Sequence, residues 1–122
     1  MNKIEAIIRP EKLSEVRSTL LEHGISGMTV TEVLGFGRQR GNKYSYRGAH
    51  YEVSFLKKLK IEVVVPDEVT NLLVDRIVAV ARTGTVGDGK IFVMPVSRVV
   101  RVRTGEEDRA ALTSDATAMA AR

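Results

Sequence analysis

"KIEVVVPD", residues 60–67, is an apolar run opened by a lysine and a glutamate and closed at a proline, and it has a near copy, "KIEAIIRP", at residues 3–10. A helical pattern follows each copy, so one supersecondary unit is used twice. After the first copy Leu13, Val16 and Leu20 recur at helical spacing, Pro10 sits where a first helical turn tolerates it, and Gly24 follows as a C-terminal stop. After the second, Val69, Leu72, Leu73, Arg76, Ile77 and Val80 trace a similar stripe, with Asp67 as the expected N-cap and Gly84 beyond the end. β-Branched runs come next, "MTVTEV" at 28–33 and "KIFVMPV" at 90–96. The order strand, helix, strand, loop, strand, helix, strand predicts an α+β fold. Two such units make a ferredoxin-like double split βαβ sandwich, a four-stranded antiparallel sheet with two helices on one face.

The second face of that sheet is left without cover. In "IEVVVP" and "KIFVMPV" apolar residues fall on both faces, as in strands buried on both sides. Two helices cover only one side, so sheets from several subunits are expected to meet. The 122 residues, 43% hydrophobic and 28% charged, suit one soluble domain. The absence of cysteine excludes a disulfide scaffold, a thiolate zinc site and a cysteine nucleophile. No apolar leader or bilayer-length run is present, which makes the cytoplasm the expected compartment. The net charge of +4 favours anionic partners, but acidic residues are interleaved with basic ones along the chain.

"GTVGDGKI", residues 84–91, nearly satisfies the Walker A pattern, but Ile91 stands where a magnesium-binding hydroxyl belongs. The loop also lies after a helix and before a strand, the reverse of a P-loop, and the P-loop NTPase is rejected. Gly84, Gly87 and Gly89 with Lys90 still permit an anion-binding nest of backbone N–H groups, against the plainer reading of a helix-to-strand turn. "VVRVRTG", residues 99–105, alternates strictly. If extended, it sends Val100 and Val102 to the core and projects Arg101 and Arg103 from one face roughly 7 Å apart, a spacing that suits a polyphosphate. Between the second and third strands, "GFGRQRGNKYSYRGAHY" at 35–51 is a polar stretch with little to bury but tyrosine rings, and such a loop in a compact domain is usually functional or disordered. His50 titrates near neutrality there, but its only fellow, His23, lies at a helix end, and a solvated side chain is the plainer reading than a metal ligand.

In "MTVTEVLGFGRQRG", "YRGAHY", "KIEVVVPD", "TGTVGDGKIFVMPV" and "VVRVRTGEED" the chain resembles the PII signal-transduction proteins of nitrogen control, in register over residues 1–112. The resemblance implies one domain over 1–112, a T-loop at about 37–55 that docks on target proteins, and a flexible tail at 113–122. It implies a homotrimer with ATP or ADP in the clefts between subunits. It assigns the phosphates to Arg38, Gly87, Gly89, Lys90, Arg101 and Arg103, with Asp88 in the same loop, and the base and ribose end to Thr29, Glu62 and Val64. Gln39 would help ligate the Mg2+ held by ATP, with Gly37 beside it, and Gly37, Gln39, Arg40, Gly41, Lys58 and Gly87 would surround 2-oxoglutarate. Tyr51 corresponds to the modified tyrosine of some relatives, and Tyr46, Arg47 and His50 share its partner-docking loop.

No serine-histidine-acid set or apolar carboxylate pair marks an enzyme, and no reader motif or uniform basic stripe marks a nucleic-acid partner. The expected function is a trimeric regulator of nitrogen metabolism that senses adenylates and 2-oxoglutarate through its T-loop. The alternative is a specialised paralogue sensing adenylate state with another small ligand, outside nitrogen control; a basic nucleic-acid module stands further off. Ammonium channels and modifying or metabolic enzymes are the expected kinds of target, and a membrane would be reached only through such a protein.

Overall fold

The computed structural model describes residues 1–36 and 55–113, together with the backbone of residues 45–46 and 50–51. The elements run β1 (Asn2–Ile8), a 3-10 turn (Pro10–Lys12), α1 (Leu13–Glu22), β2 (Thr29–Phe36), β3 (Ser45–Tyr46), β4 (His50–Tyr51), β5 (Phe55–Val65), α2 (Asp67–Ala81), β6 (Lys90–Pro95) and a closing 3-10 turn (Asp108–Leu112). The main sheet is antiparallel in the order β2-β5-β1-β6, and β3 pairs with β4 in a separate two-stranded piece. This is the expected ferredoxin-like α+β topology.

The repeated motif occupies the two central strands. Glu5 of β1 lies opposite Glu62 of β5, and Ile4 and Ala6 lie opposite Val63 and Ile61. Period-two alternation then sends one set of side chains under the helices: Ile4, Ala6, Ile8, Ile61, Val63 and Val65 are buried. They meet Val16 and Leu20 of α1 and Leu73, Ile77 and Ala81 of α2 in one core.

The helix ends follow local chemistry. Gly24 takes φ +79°, its N–H donates to Leu21 O (3.0 Å) and Ile25 N–H donates to Leu20 O (2.9 Å). That pair of bonds is a Schellman closure, and Ile25 packs back on the core behind it. At the start of α2 the expectation is corrected. Pro66, in extended geometry, is the N-cap and makes no side-chain cap bond, while Asp67 is the first helical residue. Its carboxylate accepts from the Asn2 side chain at 3.0 Å, and its charge suits the positive end of the helix dipole. The α2 stripe is also shifted: Thr70, Leu73, Ile77 and Ala81 are buried, whereas Leu72 and Arg76 are exposed.

The opposite face of the sheet differs in kind. Its centre is charged: Lys3 Nζ lies 2.9 Å from Glu62 and 3.6 Å from Glu5, and Lys60 lies 3.7 Å from Glu62. Lysine thus bridges carboxylates that would otherwise repel across the strand pair. The apolar residues expected on this face sit around the charges, with Phe92 opposite Glu5 and Met94 and Val64 opposite Lys3. β2 and β5 run on past the end of β1 and finish in the opposed pair Phe36 and Phe55, ring centroids 5.7 Å apart.

Candidate functional site

The glycine loop after α2 is held by one carboxylate and one guanidinium. Asp88 Oδ1 accepts from Arg9 Nε (2.9 Å) and Thr83 Oγ (2.5 Å), and Oδ2 accepts from the N–H groups of Thr83 and Gly84 (2.8 Å each). The Thr83 hydroxyl, then Arg9, hold the Asp88 carboxyl far below the usual carboxylate range. Arg9, at the end of β1, also donates to Thr85 Oγ (3.0 Å) and to Val86 O (2.9 Å). The loop then returns to the sheet at Gly89, with φ +95°, where an added Cβ would overlap the carbonyl oxygen of Ile7. Only glycine passes there.

Lys58 enters the same region from β5. Its side chain is buried and its ammonium donates to Gly87 O at 2.5 Å. Burial, reinforced by the Arg9 charge, lowers its pKa from the ordinary lysine value. Gly35 on β2 makes room for it, since a Cβ there would come within 3.0 Å of Lys58 Cγ. Lys90 follows as the first residue of β6. Lys58, Gly87, Asp88, Gly89 and Lys90 are therefore gathered at one end of the face that carries no helix among the described residues.

At the other end of that face Thr29, Glu62, Val64 and Arg101 line a cavity of about 680 Å³ shared with Lys3, Met28 and the segment from Ala111 to Thr113. Thr29 and Glu62 are register partners on β2 and β5. The hydrogen bond from Lys3 keeps the Glu62 carboxyl below its ordinary value, and Glu62 in turn raises Lys3. Arg101 donates to Glu106 at 2.7 Å and to the carbonyl oxygens of Ala111 and Thr113.

The reading of residues 99–105 as a strand is corrected. Val100 makes one isolated bridge with Glu107, Gly105 N–H donates to Arg101 O at 2.7 Å, and the chain between them is a turn. Val102 is 99% exposed and Val100 is 45% exposed, so neither is a core residue of this subunit. The segment closes on itself instead of joining a sheet edge. Arg103 lies on this turn and is exposed, and it does not line the cavity's wall.

Among the described residues the two groups of expected site residues share one face, and the cavity lined by Thr29, Glu62 and Val64 includes neither Lys58 nor the glycine loop. Lys58 and Glu62 lie four positions apart on the same strand, about 13 Å at the strand rise. Gly37, Arg38, Gln39, Arg40, Gly41 and Arg47 lie outside the described residues. Tyr46 is the register partner of His50, and Tyr51 is that of Ser45, in the backbone of β3 and β4. Among the described residues no group of three or more His, Cys, Asp or Glu is placed to hold a metal ion, and no helix is long and apolar enough to cross a membrane. Arg9, Thr83 and Lys3 were absent from the sequence-based site. Arg9 stands 79 positions from Asp88, and no local pattern links them.

The comparisons with known proteins agree with the resemblance. The family model described as nitrogen regulatory protein P-II matches residues 1–106. "Nitrogen regulatory protein P-II 1" of Escherichia coli (strain K12) is 62% identical over 112 residues, covering 92% of this chain and 100% of the relative. "Nitrogen regulatory protein P-II" of Klebsiella oxytoca is 61% identical and that of Microchaete diplosiphon 58% identical, each with the same coverage.

Proposed function

The chain belongs to the nitrogen regulatory protein P-II family, and from that premise we propose that it is a homotrimeric, cytoplasmic sensor of ATP, ADP and 2-oxoglutarate. Membership makes it a signal-transduction regulator acting on target proteins, not an enzyme. The observation that carries the finer reading is the division of the site. The glycine loop with Lys58 lies at one end of the face that carries no helix, and Thr29, Glu62 and Val64 line a cavity with Arg101 towards the other, so a single subunit offers two halves, and two subunits meeting on that face would complete one cleft.

The residues present fit an adenine nucleotide. The glycine loop that Gly89 closes against Ile7, with Lys58 bonded to Gly87 O and Lys90 opening β6, suits phosphates. The ionised Glu62 accepts hydrogen bonds from ribose hydroxyls, and Val64 and Thr29 flank the base end. Arg101 and Arg103, from the neighbouring subunit, would add forks to the phosphates with Arg38, Gly87 and Gly89. Mg2+ would neutralise the phosphates, Gln39 giving it a side-chain oxygen. Gly37, Arg40 and Gly41 with Gln39, Lys58 and Gly87 would hold 2-oxoglutarate. Lys58 supplies a positive charge for a carboxylate, and an anion arriving there relieves the cost of its burial.

The loop of residues 37–55, with Tyr46, Arg47, His50 and Tyr51, would carry the bound state to partners by a population shift. Calorimetric titration tests this. ATP with magnesium should bind the wild type, 2-oxoglutarate should bind only in their presence, and Gln39→Ala should lose the second event but retain the first. Binding of nucleotide without 2-oxoglutarate would favour the specialised paralogue, and sedimentation should return a trimer.

A further inference from the structure

We propose that Asp88 and Arg9 are a positioning pair that pre-forms the phosphate loop, and that Asp88 itself touches neither ligand nor metal. The inference rests on the nucleotide reading above and assigns a role within that same site. An ionised carboxylate has about four acceptor positions. Those of Asp88 are filled from inside the protein, by Arg9 Nε and Thr83 Oγ on one oxygen and by Thr83 N–H and Gly84 N–H on the other. A group so engaged has no oxygen left to ligate a cation or to accept from a nucleotide. Its negative charge beside phosphates would be adverse if it were not matched, and the Arg9 guanidinium matches it at 2.9 Å.

The pair spans the loop from both ends. Asp88 ties back to Thr83 and Gly84, where the helix gives out, and Arg9 reaches Thr85 and Val86 at the middle. Gly89 then locks the far end against Ile7, two residues before Arg9. Peptide groups held from three directions do not have to be ordered when the anion arrives, which is how pre-organisation raises affinity.

The test is calorimetry with two probes, ATP with magnesium and adenosine alone, on the wild type, Asp88→Asn, Arg9→Met, Arg9→Lys and the double variant R9M/D88N. Amide hydrogen exchange across residues 83–89 is measured without ligand. Asp88→Asn and Arg9→Met should each weaken ATP about tenfold, the scale of supporting residues around a site. They should leave adenosine within about twofold, because it makes no demand on the loop. The double variant should be no worse than the poorer single, since the two residues act as one unit. Arg9→Lys should fall between, keeping the charge but not the fork. Exchange in the loop should speed up in Asp88→Asn. Unchanged ATP binding by Asp88→Asn, equal losses for ATP and adenosine, or additive losses in the double would each overturn the pair. A wild type that binds neither probe sinks the nucleotide reading instead, and the ligand-free exchange then decides the pair's role on its own.

Discussion

One sheet carries two faces that its sequence builds from the same repeat, and they do opposite work. Under the helices Ile4 and Ile61, the second residues of the two copies, are 0% and 1% exposed; on the other side Lys3 and Lys60, the first residues, take part in a charged lattice with Glu5 and Glu62. Stability is concentrated on the first face because burial of apolar area is the main favourable term of folding. The second face carries half-buried ion pairs, and pairs still in reach of solvent add little to folding.

Leu73→Ala should cost about 2–5 kcal/mol in urea denaturation, through lost burial and the cavity left behind. A cost below that range would mean that the core has no privileged face. On the uncovered side Phe92→Asp should leave the helical circular dichroism of the subunit intact, yet shift the sedimenting species to smaller mass. Loss of secondary structure together with assembly would show that this face too is needed for folding.

Lys58→Met sharpens the contrast further. Removing a buried ammonium should leave stability within about 1 kcal/mol of wild type, while 2-oxoglutarate binding is lost. The pH dependence gives the sign. Because the folded pKa of Lys58 lies below the ordinary 10.5, the unfolded chain holds its proton more tightly, so stability rises with pH between those two values. That rise should be missing from Lys58→Met.

Acid probes the glycine loop with the smallest expected change. Asp88 has a depressed folded pKa, so its contribution is present above the ordinary carboxylate value of 3.8 and is lost as pH falls towards the folded value. Comparing wild type with Asp88→Asn by thermal melts from pH 6 down to about pH 2 should show a narrowing difference.

The repeat was legible because its signals are local: period-two burial in the strands and a glycine closing α1. The glycine loop was legible only as residue types with a plausible neighbour, and Lys58 only through the family resemblance. What escaped the sequence depends on distance along the chain or on closure in space. Val99 to Gly105 has the alternation of a strand, but strand formation requires an available edge, and the chain bends at Gly105 before reaching one. Asp67 has the residue type of a cap, but Pro66 already occupies the extended position before the helix. Arg9 looked like the end of an apolar run, and nothing nearby announces Asp88 as its partner.

The contact of Gly89 with Ile7 reaches beyond geometry to the ways in which this protein can change over generations. A side chain at 89 demands a displaced backbone in β1, which is hydrogen-bonded to a strand on each side, so the change at 89 is not viable alone. Novelty in this loop must therefore enter at a position that tolerates trial, such as Val86, whose side chain is exposed and which Arg9 engages only through its carbonyl oxygen. Descendants with new ligands are to be sought there, behind a position 89 that cannot drift.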